Sequence, residues 1–145
     1  MKFSAQRETL LTPLQHVVGA VERKQTSPIL GNVLMVADDG YLTLTATDSE
    51  IEMQARVEMH VDQTGSTTVP ARKLLEICKH LPDSARVDFN FQGDKVIFKS
   101  GRSKFTLATL PADEFPHVEA LDEPQQVILP ASVLLQCIKN TAFSM

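Results

Sequence analysis

The feature that most restricts this chain is an internal echo. Residues 69–79 read VPARKLLEICK, and residues 129–139 read LPASVLLQCIK. Each places an apolar residue before Pro-Ala, then a Leu-Leu pair, then a closing Lys. A weaker copy, AQRETLL, stands at residues 5–11. With the Leu pair as marker, the copies fall at Leu10, Leu74 and Leu134, about sixty residues apart. Repetition at that period implies one small structural unit used more than once. Such a unit cannot bury its apolar face alone and must pack against its copy.

The intervals between the markers follow a common plan. Leu10, Leu14, Val17, Val18 and Val21 have helical spacing and one apolar stripe. Pro13 denies that helix one hydrogen bond, so a late start or a bend is expected there. Three strands are expected next, at Asn32–Ala37, Tyr41–Thr47 and Glu50–Met59, with Asp39-Gly40 as a hairpin turn. In the second interval a short strand at Thr67–Val69 leads to Pro70, well placed to open a helix. Leu74, Leu75, Ile77, Cys78 and Leu81 form its stripe. Strands around Val87–Phe91, Val96–Phe98 and Phe105–Thr109 follow, divided by turns at Gly93 and Gly101. The reading is an α+β fold: two β-α-β-β-β units whose sheets join, with both helices covering one face. The expected domain covers residues 1–120. Residues 121–145 then read as the start of a third unit, the opening of a second domain cut short at Met145, whose helix is left poorly supported.

Composition excludes several classes. Two Cys among 145 residues make no disulfide scaffold, and Cys78 and Cys137 lack metal-knuckle spacing, so a reducing, cytoplasmic setting is the simpler expectation. The N-terminus has no signal-peptide core, and no run of about 20 apolar residues offers a membrane span. No membrane partner is expected. The formal net charge of -4 is unlike a simple high-affinity nucleic-acid binder, although a local basic face remains compatible with it.

Catalytic patterns are poorly represented. Asp48, Glu50 and Glu52 alternate on an expected strand, which suits either a two-carboxylate hydrolase site or a solvated strand face. His16, His60, His80 and His117 form no metal pair, and Cys78 and His80 should face apart on a helix. There is no nucleophile elbow, phosphate-binding loop or dinucleotide fingerprint, and Trp is absent. Neither a cofactor nor a metal is expected.

Charge offers more. Arg7, Arg23 and Lys24 flank the first helix; Arg72, Lys73 and Lys79 lie on or beside the second. Acidic residues concentrate on strands, turns and the linker. The expectation is a relatively basic helical side suited to nonspecific phosphate attraction. Phe105 and Leu107 share one strand parity beside Arg102 and Lys104. They either complete the core or form an edge strand open to another chain.

Several strings resemble the bacterial replicative sliding clamps, the beta subunits of DNA polymerase III. These are PILGNVL at 28–34, TDSEIEM at 47–53, TVPARKLLEIC at 68–78 and SGRSKFTLATLPADEFP at 100–116, with the opening MKF and the closing NTAFSM. The resemblance implies an N-terminal clamp domain and the beginning of a middle one. It further implies a non-catalytic ring of two head-to-tail protomers, with helices lining a hole through which duplex DNA passes. Such a ring tethers the replicative polymerase and is opened by a clamp loader.

Carried over by position, the resemblance makes Lys24 and Lys79 DNA-facing. It makes Ile77, Leu81, Phe105 and Leu107 the apolar ring interface, with Lys73, Arg102 and Lys104 as its rim charges. The groove that captures polymerase and loader lies between later domains of the family and is expected to be absent from residues 1–145.

Overall fold

The computed structural model describes residues 1–21, 27–117 and 126–144. The first unit contains β1 (Lys2–Gln6), α1 (Arg7–Val17), β2 (Asn32–Asp38), β3 (Tyr41–Thr47) and β4 (Glu52–Glu58). After the short β5 (Val61–Gln63), the second contains β6 (Gly65–Pro70), α2 (Ala71–His80), β7 (Arg86–Gln92), β8 (Lys95–Ser100) and β9 (Ser103–Ala108). The expected order of strand, helix and three strands therefore occurs twice, within an α+β architecture of two antiparallel sheets.

The units exchange their first strands. One sheet has the order β5-β1-β7-β8-β9 and the other β4-β3-β2-β6. Thus β1 joins the second unit's meander through Phe3–Phe89 and its neighbours, while β6 joins the first unit's through Val33–Val69. Pairing β1 beside β2 through the α1 crossover would create a parallel pair in an otherwise antiparallel sheet. Exchange keeps every ladder antiparallel. The sheets do not fuse as the sequence suggested. They meet at one bridge, Thr68–Leu110, where the Thr68 hydroxyl donates to the Leu110 carbonyl at 2.9 Å.

The inward faces form a shared core. Phe3 and Phe89 stack with ring centroids 4.7 Å apart, and Phe98 lies fully buried beside them. Leu10, Leu14 and Val17 from α1 meet Leu74 and Cys78 from α2 in the same cluster. Removing any of these large side chains from water contributes about 1.5–3 kcal/mol. This burial fixes strand register, because a one-residue slip would turn the apolar set to solvent.

Pro13 does not delay α1, which begins at Arg7 and continues through the proline to Val17. Pro13 is itself buried, and its packing offsets the missing hydrogen bond. The hairpin expectations hold at Gly40 and Gly93, whose φ values of 83° and 62° need little more than glycine's freedom. After β9 a short 3₁₀ turn at Ala112–Glu114 leads to Phe115, which is buried. Beyond it, α3 (Ala131–Thr141) follows Pro130 as α2 follows Pro70, but its apolar stripe is open. Val133, Leu134, Leu135 and Ile138 are all about half exposed. No helix among the described residues is long and apolar enough to cross a membrane.

Candidate functional site

Helix α2 presents two kinds of surface around its circumference. Ala71, Leu74, Leu75 and Cys78 face the core. Lys73, Ile77 and Leu81 follow one another at four-residue intervals and share one flank. Beside that flank lies the edge strand β9. Ile77, Leu81 and Phe105 together line a groove of about 360 Å³, with Glu76, His80, Pro82 and Ser103 at its margins. Phe105 reaches inward to Phe98 at 6.4 Å between ring centroids, yet remains half-buried. Thus the two readings of Phe105 coexist: one side of the ring packs on the core and the other lines the groove.

The remaining interface candidates divide. Leu107 has the parity of Phe105 and is also half-buried, but lies outside the groove lining. Lys104 alternates to the opposite sheet face, directly across from Lys99. Arg102 is exposed in the β8–β9 turn. Lys73 is exposed one helical turn before Ile77. Lys79 is exposed on another side of α2. Lys24, with Arg23, lies outside the described residues.

Two of the arginines that flank the helices are held by contacts within the fold. Arg7 Nε donates to the Cys78 carbonyl at 2.9 Å, and its Nη1 pairs with Asp83. Arg72 donates to the Val21 carbonyl at 3.2 Å. The exposed positions of α1 are Thr12, Gln15 and His16, so on the described helical face it is α2 that carries the free lysines. Next to Arg7, the Glu8 carboxylate accepts the Ser84 N–H at 3.0 Å, the principal cause of its lowered pKa. Arg7 and Glu8 thereby fasten the start of α1 to the segment that carries Leu81 and Pro82. Sequence reading assigned Arg7 to a charged flank. Only the tertiary fold brings it to a carbonyl 71 residues away.

The carboxylate strand expected at Asp48–Glu52 is replaced by a tight turn, and β4 begins only at Glu52. One Asp48 oxygen accepts the N–H groups of Glu50 and Ile51, each at 2.9 Å. Those bonds, Ile51 first, lower the Asp48 pKa. Ser49 takes a positive φ of 78° within the turn. The Asp-Ser-Glu sequence chose a side-chain-capped turn over strand extension, a known tendency of Asp. Asp48 is therefore held as a structural acceptor and is poorly placed for general-base work. Among the described residues, no three His, Cys, Asp or Glu side chains converge to hold a metal ion.

Comparison with known proteins agrees with this geometry. Residues 1–119 match the family model for the DNA polymerase III beta subunit, N-terminal domain. The chain is 46% identical over 145 residues to a beta sliding clamp of Vibrio harveyi, covering 99% of this chain and 100% of that one. It is 48% identical over 146 residues to the beta sliding clamp of Pseudomonas putida, of which it spans 40%. The crystal structure of the DNA polymerase III subunit beta from Pseudomonas aeruginosa superposes with a TM-score of 0.92 at 45% identity, over 99% of this chain and 39% of that one. A shared fold, matched over nearly every residue at such identity, leads to one assignment: the chain belongs to the DNA polymerase III beta subunit family, the beta sliding clamps.

Proposed function

We propose that this chain is part of a non-catalytic, cytoplasmic sliding clamp that surrounds duplex DNA as a ring of two head-to-tail protomers. The ring tethers a replicative polymerase and is placed on DNA by a clamp loader. Residues 1–120 serve as the N-terminal clamp domain, and residues 121–145 begin the middle one. The observation that carries this reading is the joining of Ile77, Leu81 and Phe105 across α2 and the edge strand β9, in a chain of this family. An apolar groove beside an unpaired strand edge is suited to receive another protomer. Leu107 extends the apolar strip; Lys73, Arg102 and Lys104 supply rim charge.

Lys79 and Lys24 face the DNA in this reading and make weak, mobile phosphate contacts. Topology, not affinity, retains the duplex, which reconciles DNA encirclement with a net charge of -4. The test is retention of the full-length clamp on nicked circular DNA after loading. Retention should disappear when the circle is linearised. Equal retention on both forms rejects encirclement.

A further inference from the structure

The outer faces of the two sheets differ in charge, a property hidden in the overall balance. On the β5-β1-β7-β8-β9 sheet, the core-facing parity is set by Phe3, Val87, Phe89, Val96 and Phe98. The alternate positions point outward, and they include Lys2, Arg86, Lys95, Lys99 and Lys104, all exposed. Asp88 is the one outward acid on β1 and β7–β9, and Asp62 on β5 lines the same groove from the far side of β1. The β4-β3-β2-β6 sheet presents the reverse: Asp38, Glu52 and Glu58 against Arg56, whose guanidinium lies 3.8 Å above the Tyr41 ring. Acids occur on both sheets, and it is the cations that gather on one of them.

The basic face is also concave. A groove of about 520 Å³ crosses β5, β1, β7 and β8, with Lys2, Arg86 and Lys99 among its cations. Asp88 lies in its floor, where it accepts the Ser4 hydroxyl at 2.6 Å and faces Arg86 Nε at 3.4 Å. Asn90 and Gln92 add amide donors and acceptors along β7. The geometry points to this face as a docking surface for an acidic, extended segment of a partner protein.

Two features select a peptide over a nucleic acid. No aromatic ring occupies an outward position on β1, β7, β8 or β9, so bases have no stacking platform. Asp62 and Asp88 interrupt the cations, which opposes a polymer charged at every unit. A peptide with acidic side chains spaced by hydroxyl or amide residues meets the lysines and arginine without placing charge on either aspartate.

The experiment uses the full chain and a fluorescein-labelled dodecapeptide of alternating Glu and Ser, read by anisotropy. The native chain should bind, with affinity falling as salt rises. Arg86→Glu with Lys99→Glu should weaken binding roughly tenfold or more, since each reversal replaces an attraction with a repulsion. Arg56→Glu with Lys139→Glu makes the same change in net charge elsewhere and should alter binding less than about twofold. Circular dichroism identifies any variant that has failed to fold; if Arg86→Glu with Lys99→Glu does, Arg86→Gln with Lys99→Gln is read in its place, with several-fold weakening expected. The proposal is overturned by no peptide binding, by equal weakening in the two charge-reversed double variants, or by tighter binding of a twelve-nucleotide oligothymidylate than of the peptide.

Discussion

Arg7 Nε and the Cys78 carbonyl oxygen are 2.9 Å apart, joining the first residue of one helix to the last turn of the other. The contact ties the two repeated units together at the place where the groove beside α2 begins. Arg7→Ala removes this bond and the pairing with Asp83, leaving a part-buried carbonyl without its charged donor. The expected loss is about 1–3 kcal/mol, the scale of a hydrogen bond to a charged group. Urea denaturation measures it through a lower midpoint at unchanged slope. Wild-type stability in Arg7→Ala would remove the contact from any structural role.

Phe105→Asp in the full-length protein should separate the proposed protomers. The ring is half-buried and lines the groove with Ile77 and Leu81. Burial of a new carboxylate there, with loss of an aromatic anchor, should weaken association by about 2 kcal/mol or more. Sedimentation equilibrium gives the mass directly. A dimer of undiminished affinity would place the interface elsewhere.

Cys78 and Cys137 should differ sharply toward iodoacetamide. Burial raises the Cys78 thiol to about 12, whereas Cys137 is exposed on α3. Mass spectrometry of the native protein at neutral pH should show one alkylation, and two after denaturation. The raised value also has a stability consequence. In the unfolded chain Cys78 ionises near 9.0, and in the folded one only near 12. Stability from this thiol is therefore intact below about 9 and declines as pH rises toward 12. A native protein labelled twice at neutral pH contradicts the burial argument.

Acid should act in the opposite sense through Glu8, Asp48 and Asp88. Each pKa is lowered in the fold: Glu8 by the Ser84 N–H, Asp48 by the Ile51 and then the Glu50 N–H, and Asp88 by the Ser4 hydroxyl and then Arg86. A depressed carboxyl contributes its stability above the unfolded value, here 3.8 to 4.5, and loses it as pH falls through the folded value. Thermal midpoints should hold steady from neutral pH to about 5 and fall below that. Asp48→Ala should reduce the acid-dependent part and speed amide exchange at Glu50 and Ile51. Unaltered exchange at both amides would show that the carboxylate does not hold the turn.

Local pattern along the chain was enough for the repeated unit, both helices of the paired units, the hairpin turns and the inward parity of most strands; it was not enough for the start of β4, where Ile51 and Met53 are exposed. The former are local consequences of period, Pro and Gly placement, and apolar alternation, and the burial of Leu74, Phe89 and Phe98 follows the same pattern. Family resemblance, carried by strings such as TVPARKLLEIC, gave the candidate interface residues their proposed roles. The exchange of β1 and β6 between the units came from the folded arrangement alone, because strand partnership depends on non-local ladders that local periodicity does not encode. That arrangement likewise decided that Asp48 caps a turn, that Arg7 binds across 71 residues, and that cations gather on the outside of one sheet. Charge patterning along the chain lists the cations without their neighbours, and electrostatic potential is a property of neighbours in space.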